Sequence, residues 1–233
     1  MTKTKIDFSK KIYLSLTGAA NKDWQSKLQE IEEMGIKEVV LFLSLFDKKE
    51  RNHLYKFLLK SSIKKIPAVH LRHDTDSEDI KFFMKNFGTE YFNIHEEFFR
   101  FLDRWKGYWG RLYLEMNYNN EVIKDVDVKK IGGFCIDFSH LKSAIARGAK
   151  EADYVLSHRE EIKFIYNHIS GYDPKEMACK HTVTDLKDFD YLITLPKYVF
   201  GEVIALEVYN SIKEQVGFKK YIVKLLNRYF ESD

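Results

Sequence analysis

Six short apolar segments of this 233-residue chain run into ionisable residues. They read Val69-His70-Leu71-Arg72-His73-Asp74, Phe92-Asn93-Ile94-His95-Glu96-Glu97, Tyr113-Leu114-Glu115-Met116-Asn117, Phe134-Cys135-Ile136-Asp137-Phe138-Ser139-His140, Ile165-Tyr166-Asn167-His168 and Ala205-Leu206-Glu207-Val208. Five of the eight histidines lie in these endings (His70, His73, His95, His140 and His168), and His181 follows soon after the fifth. Carboxylates and neutral imidazoles brought to one point hold Mn2+, Mg2+ or Zn2+. Ionisable groups in apolar runs are costly to bury, so six such endings ask for a common cause. Each member alone has a plainer reading: a strand-end histidine is commonly a hydrogen-bonded core residue. Glu115 could pair with Arg111 or Lys124, and Asp137 could cap a helix beginning near Ser139.

The elements that must bring these endings together follow from patterning. Eight apolar runs read as strands: Lys11–Leu16, Glu38–Ser44, Ile66–Leu71, Tyr91–His95, Arg111–Met116, Ile131–Asp137, Lys163–Ile169 and Val203–Val208. Several are nearly continuous, as in Val39-Val40-Leu41-Phe42-Leu43, the mark of strands buried on both faces. Helical spacing fills much of the intervening sequence, with Trp24, Leu28 and Ile31 on one face, then Leu54, Phe57 and Leu58, then Ile80, Phe83, Met84 and Phe87. Thr75 and Glu78 stand at capping-box spacing, and Gly35 and Gly88 sit where helices should stop. A last helix is expected over about Ser211–Phe230. Strand and helix alternating eight times imply right-handed parallel crossovers and a closed α/β barrel, (β/α)8, spanning residues 1–233 as one domain. An open doubly wound sheet is the rival. The turn Thr17-Gly18-Ala19-Ala20 lacks the glycine fingerprint that a nucleotide-binding one often carries. In a (β/α)8 barrel, catalytic groups come from the C-terminal strand ends, which is where the six endings fall.

Bulk properties narrow the class. Hydrophobic residues make up 45% and aromatics 15%, enough for a packed core and against disorder. Lys plus Arg is 38 and Asp plus Glu 35, a net charge of +3, which neither demands nor excludes a nucleic-acid partner. Two cysteines, Cys135 and Cys179, make no disulfide framework, and Cys135 reads as a buried structural thiol. Met1–Lys11 has no signal-peptide pattern, and no run approaches ~20 apolar residues, so a cytoplasmic protein without a membrane span is expected. Trp105, Tyr108, Trp109 and Tyr113 read as helix-to-barrel packing ahead of a sugar-stacking platform.

These endings resemble the xylose isomerase-like TIM barrels, which include sugar isomerases, sugar epimerases and endonuclease IV. The likeness covers nearly the whole chain. Its most specific part is Gly133-Phe134-Cys135-Ile136-Asp137-Phe138-Ser139-His140, similar to the family's sixth-strand pattern. The resemblance implies a divalent-metal site of Glu115, Asp137, His168 and Glu207. In the isomerase and epimerase branch it implies that Glu115 and Glu207 move the proton beside a carbonyl of a small carbohydrate. In the endonuclease IV branch it implies up to three Zn2+, with His70 or its competitor His73, His95, His140 and His181 as further ligands, and abasic nucleic acid as substrate; in an epimerase His140 would instead contact substrate. There Cys179 stands where the family has Asp, and a thiolate also binds zinc.

Short loops and weak charge favour the sugar reading, while the extra histidines favour the nuclease. A barrel that binds metal or a small ligand without turnover is a third reading. Arg72, His73 and Lys180 are candidate substrate-binding groups. The stretch after His168, Ile169-Ser170-Gly171-Tyr172-Asp173, lacks the substrate-binding arginine of several epimerases.

Overall fold

A computed structural model of the chain describes residues 6–17, 23–162 and 164–231. Met1 to Lys5 of the polar N-terminal stretch, the turn residues Gly18 to Ala20, and Lys163 at the start of one expected strand lie outside that range. The main sheet is parallel throughout and holds β1 (Ile12–Tyr13), β2 (Ser15–Thr17), β3 (Val40–Phe42), β4 (Ala68–His70), β5 (Tyr91–His95), β6 (Leu112–Glu115), β7 (Gly133–Asp137), β8 (Phe164–Ile169) and β11 (Val203–Leu206). A separate antiparallel pair, β9 (Gly171–Asp173) and β10 (Ala178–Lys180), stands beside it.

The sheet order is β1-β11-β8-β7-β6-β5-β4-β3-β2. Leu14 joins β1 to β2, so one extended segment pairs with β11 at one end and β3 at the other, and the chain itself completes the ring. With that segment counted once, this is the expected (β/α)8 barrel. The seam is reinforced from outside. Gln215 accepts from the Ser15 backbone N–H with its Oε1 at 2.8 Å and donates to the Ser15 carbonyl with its Nε2 at 3.2 Å. A buried backbone group left without a partner would cost about as much as a lost hydrogen bond, so a side-chain amide stands in for a neighbouring strand.

Helices α1 (Trp24–Glu33), α2 (Lys48–Leu58) and α3 (Ser77–Phe87) follow β2, β3 and β4; α4 (Phe138–Arg147) and α5 (Lys150–Ser157) follow β7; and α6 (Ile212–Glu231) follows β11. Their apolar stripes bury Trp24, Leu28 and Ile31, then Leu54 and Leu58, then Ile80, Phe83 and Phe87 against the outside of the strands. The capping box of α3 lies one residue beyond the expected Thr75 and Glu78: Asp76 is the cap and Asp79 its partner. Thr75 is otherwise engaged, donating to the Arg72 carbonyl and accepting from the Trp105 indole. Gly88 ends α3 and Gly35 follows α1, both at positive φ.

Three crossovers are not α-helical. A 3-10 run, Glu96–Trp105, follows β5, and the β6-to-β7 connection is a loop ending in the 3-10 turn Val128–Lys130. After β8 come the β9–β10 hairpin and the 3-10 run Leu186–Thr194. No helix among the described residues is long and apolar enough to cross a membrane. The core has two parts. A large outer shell packs helices on strands, and a smaller inner cluster of Val40, Phe42, Ala68, Tyr113, Cys135, Tyr166, Val203 and Ala205 fills the barrel.

Candidate metal centre

Every second residue of a barrel strand faces inward. Continuing the inner cluster in that parity toward the C-terminal strand ends reaches His70, His95, Glu115, Asp137, His168 and Glu207. Register sets them side by side: His70 lies opposite Asn93, His95 opposite Glu115, and Asp137 opposite His168. Ligand atoms of His70, His95 and Glu115 lie within 4.8 Å of one another, as do those of Glu115, Asp137, His168 and Glu207. All but His95 and Glu207 are buried, and those two are partly exposed.

The Glu115 Oε2 is the common point. It lies 2.7 Å from Asn93 Nδ2, 3.2 Å from His70 Nε2 and 3.4 Å from His168 Nδ1. The other nitrogen of each imidazole is committed outward. His70 Nδ1 lies 2.9 Å from the Leu71 carbonyl, which can only accept, so that nitrogen carries the proton. His168 Nε2 lies 3.4 Å from Cys135 Sγ. Neutral His70 therefore turns a lone pair toward the Glu115 oxygen. Glu207 Oε2 is 3.2 Å from the same His168 Nδ1 that faces Glu115. An imidazole nitrogen facing carboxylate oxygens at these distances needs a proton or a cation between them, and histidine ligands have this arrangement, one nitrogen tethered and one presented.

Asp137 divides its two oxygens. Oδ1 caps α4, accepting from the His140 N–H and the Ser139 hydroxyl, each at 2.8 Å. Oδ2 is buried and has no hydrogen-bond partner, and neither has His168 Nδ1. The capping role and the ligand role, alternatives from sequence, thus use different atoms of one carboxylate. Electrostatics agree on the sign of the missing charge. Burial favours protonated carboxyls, yet the His168 and His95 imidazoles hold Glu115 well below its ordinary range. Burial is likewise overcome by His168 at Glu207, which is pulled to about 2. Burial raises Asp137, helped by the Glu207 and Glu115 charges and opposed by His140. Ionised carboxylates set beside imidazoles are the donor types that a divalent cation takes, and these residues fit one.

A third group adjoins the first two. His140, Cys179 and His181 bring Nδ1 or Nε2 and Sγ within 4.8 Å. α4 carries His140 one turn beyond Asp137, and the β9–β10 hairpin carries Cys179 back over the barrel mouth. His181 Nδ1 lies 3.0 Å from the Glu207 carbonyl, which leaves Nε2 facing Cys179 Sγ at 3.7 Å. His140 and His181 hydrogen bonds lower the Cys179 thiol to about 6. Against the pull of burial, Asp137 and Cys179 raise His140 to about 10, and Cys179 and Glu207 raise His181 to about 9.

The chain is similar in fold to a D-tagatose 3-epimerase-like protein. That crystal structure aligns over 94% of this chain and 98% of its own, with a TM-score of 0.50 and 12% identity. No family model and no curated protein sequence matches the chain. The barrel that the sequence led us to expect from the xylose isomerase-like proteins is therefore the one observed, and at this identity the likeness is one of fold.

Not every predicted group joins the centre. Arg72 donates to the Phe46 carbonyl at 3.0 Å and faces Asp74 at 3.7 Å. Lys180, the outward neighbour of Cys179 on β10, pairs with Asp188 at 2.7 Å. The His73 ring packs on Phe98. Among the described residues, none of the three enters the ligand groups. Asn93 and Cys135 escaped the sequence reading. Period-two parity carried the signal, since Asn93 precedes His95 by two residues and Cys135 precedes Asp137 by two.

Proposed function

We propose that this chain is a zinc-dependent hydrolase of phosphoesters, with a three-metal centre of the kind that the resemblance to endonuclease IV implies. One observation carries the reading. Three imidazoles, His70, His168 and His181, each commit one nitrogen outward and aim the other at Glu115, Glu207 or Cys179. The three groups together hold five histidines, three carboxylates and a thiolate. Imidazole and thiolate donors suit zinc, whereas Mg2+ prefers oxygen. An isomerase of carbonyl sugars needs only the Glu115, Asp137, His168 and Glu207 group, with His140 at the substrate, which leaves His70, His95, Cys179 and His181 without a role.

His70 and His95 would hold one ion with Glu115; Asp137, His168 and Glu207 a second with Glu115; His140, Cys179 and His181 a third. When bound, zinc supplies Lewis-acid polarisation of phosphoester oxygens and water made acidic near neutral pH. The chain's own residues do the positioning. Asn93 holds the shared Glu115 oxygen, Cys135 holds the His168 ring, and Ser139 and the His140 amide fix Asp137. His70, Glu115, Asp137 and His168 are buried, where solvent weakens their attraction for a cation less than it would at the surface. The test is elemental analysis with turnover. About three zinc ions per chain are expected, with cleavage of a chromogenic phosphodiester or of a duplex containing an abasic site. Zinc-loaded protein that cleaves neither would sink the reading.

The fold neighbour favours a second reading, since it is described as D-tagatose 3-epimerase-like. In it Glu115 and Glu207, both close to His168 Nδ1, would shuttle a proton beside the carbonyl of a small carbohydrate over a single Mn2+ or Mg2+. Exchange of a carbon-bound hydrogen with solvent, abolished in Glu115→Gln and Glu207→Gln, would support it. Retained exchange in either variant would remove it.

A further inference from the structure

Tyr118 lies in the β6-to-β7 loop, three residues after Glu115, and its backbone is at φ +51. That left-handed region is uncomfortable for a bulky side chain, and such a residue persists only where its surroundings over-determine it. The surroundings here are unusually complete. Arg147 Nη2 donates to the Tyr118 carbonyl at 3.1 Å. On one side, Glu96 accepts from the Asn117 and Ile123 amides; on the other, Glu151 accepts from the Asn120 and Glu121 amides. Glu96 and Glu151 are themselves buried. Two buried carboxylates and a guanidinium thus brace the loop around Tyr118 and Asn120, which is also at positive φ but tolerates it better.

That bracing places the phenol inside the protein. Tyr118 is 4% exposed, and its ring lies parallel to that of His140 at 6°, with centroids 5.8 Å apart. Its hydroxyl is buried and has no hydrogen-bond partner. The ionisable groups acting on it include Asp137, Glu115 and Cys135, all lining the candidate metal centre. A buried hydroxyl without a partner is costly, and so is the backbone that puts it there. Both penalties fall on one residue at the mouth of the site.

We propose that Tyr118 is a substrate-contacting residue whose phenol donates a hydrogen bond to a phosphoryl oxygen held at the metal centre. The inference rests on the phosphoester reading and gives it a specificity-determining group that needs no free cation. A phenol donates one proton to an anionic oxygen, and the aligned His140 ring fixes the direction in which it points.

The experiment compares wild type with Tyr118→Phe, which keeps the ring and loses only the hydroxyl. The probe is inorganic phosphate, titrated into zinc-loaded protein by calorimetry. The variant is expected to bind the same amount of zinc and to bind phosphate about tenfold or more weakly, the loss expected for a hydrogen bond to a charged group. Without phosphate its melting temperature should equal or exceed that of wild type, because an unpartnered buried hydroxyl has been removed. Equal phosphate affinity in the two proteins overturns the role of Tyr118 and leaves the phosphoester reading standing. A drop in the melting temperature of the phosphate-free variant also overturns it, since the hydroxyl would then be structural. If zinc-loaded wild type takes up no phosphate, the phosphoester reading fails and the proposal with it.

Discussion

Cys135 Sγ lies 3.4 Å from His168 Nε2, and that contact decides which nitrogen of the imidazole faces the carboxylates. Burial pushes the Cys135 thiol up to about 12, so it stays a neutral thiol set against that ring nitrogen. The thiol is thus a positioning group behind a ligand, and its two strand neighbours on β8, Tyr166 and His168, share the same inward face.

Cys135→Ala is expected to weaken zinc binding about tenfold or more, the usual penalty for removing an outer partner of a histidine ligand. Cys135→Ser keeps a hydrogen-bonding group and should lose less. Competition against a chromophoric chelator measures both. Equal affinity in Cys135→Ala and wild type would show that the contact orients nothing.

Glu115 belongs to both the His70, His95 group and the Asp137, His168, Glu207 group, whereas His181 belongs only to the third. Each ion needs three or four protein ligands, so Glu115→Ala should empty the His70, His95 group and also weaken the Asp137, His168, Glu207 group, left with three, whereas His181→Ala should empty only its own group. Elemental analysis of dialysed protein reads the difference, and equal losses in the two variants would count against a shared Glu115.

Zinc and protons compete at the third group. His140 and His181 are raised to about 10 and 9, above the unperturbed 6.5. A base raised on folding stabilises the metal-free protein fully below its unfolded pKa, and that contribution is lost as pH rises through the folded values. Metal-free protein should therefore lose this part of its thermal stability between about pH 6.5 and 10. Apparent zinc affinity should climb over the same interval, because binding must displace those protons. Melting curves against pH, with and without zinc, measure both trends. Zinc affinity that is flat across the interval would contradict the assignment.

Gly201 lies where the chain enters β11, and a Cβ built there would meet the Ile165 carbonyl oxygen at 2.2 Å. Its amide also donates to Asn167 Oδ1 at 2.6 Å, and Asn167 returns a bond to the Val199 carbonyl. Backbone cannot yield as a flexible side chain would, so Gly201→Ala should destabilise by about 1–3 kcal/mol. Chemical denaturation reads this directly, and an unchanged midpoint would mean that β8 and β11 can separate freely.

Much of the barrel was legible because continuous apolar runs and period-two parity are local properties. Glu115, Asp137, His168 and Glu207 could be named together because each stands at the end of such a run. What stayed hidden depends on pairing. The register between β7 and β8 shifts at Phe134/Cys135, and only after that shift does Asp137 come opposite His168. No local pattern announces a bulge. The strained backbone at Tyr118 is invisible for a similar reason, since nothing in Asn117-Tyr118-Asn119-Asn120 names the distant Glu96, Glu151 and Arg147 that enforce it. Arg72 and Lys180 looked available because their partners, Phe46, Asp74 and Asp188, meet them only in the folded chain.

The stitch between Gln215 and Ser15 bears on the order of events during synthesis. The ribosome releases Ser15 some two hundred residues before Gln215. Until then water must satisfy that peptide unit of β2. The stitch itself must wait for α6 to emerge, so a segment made late fastens one made some two hundred residues earlier.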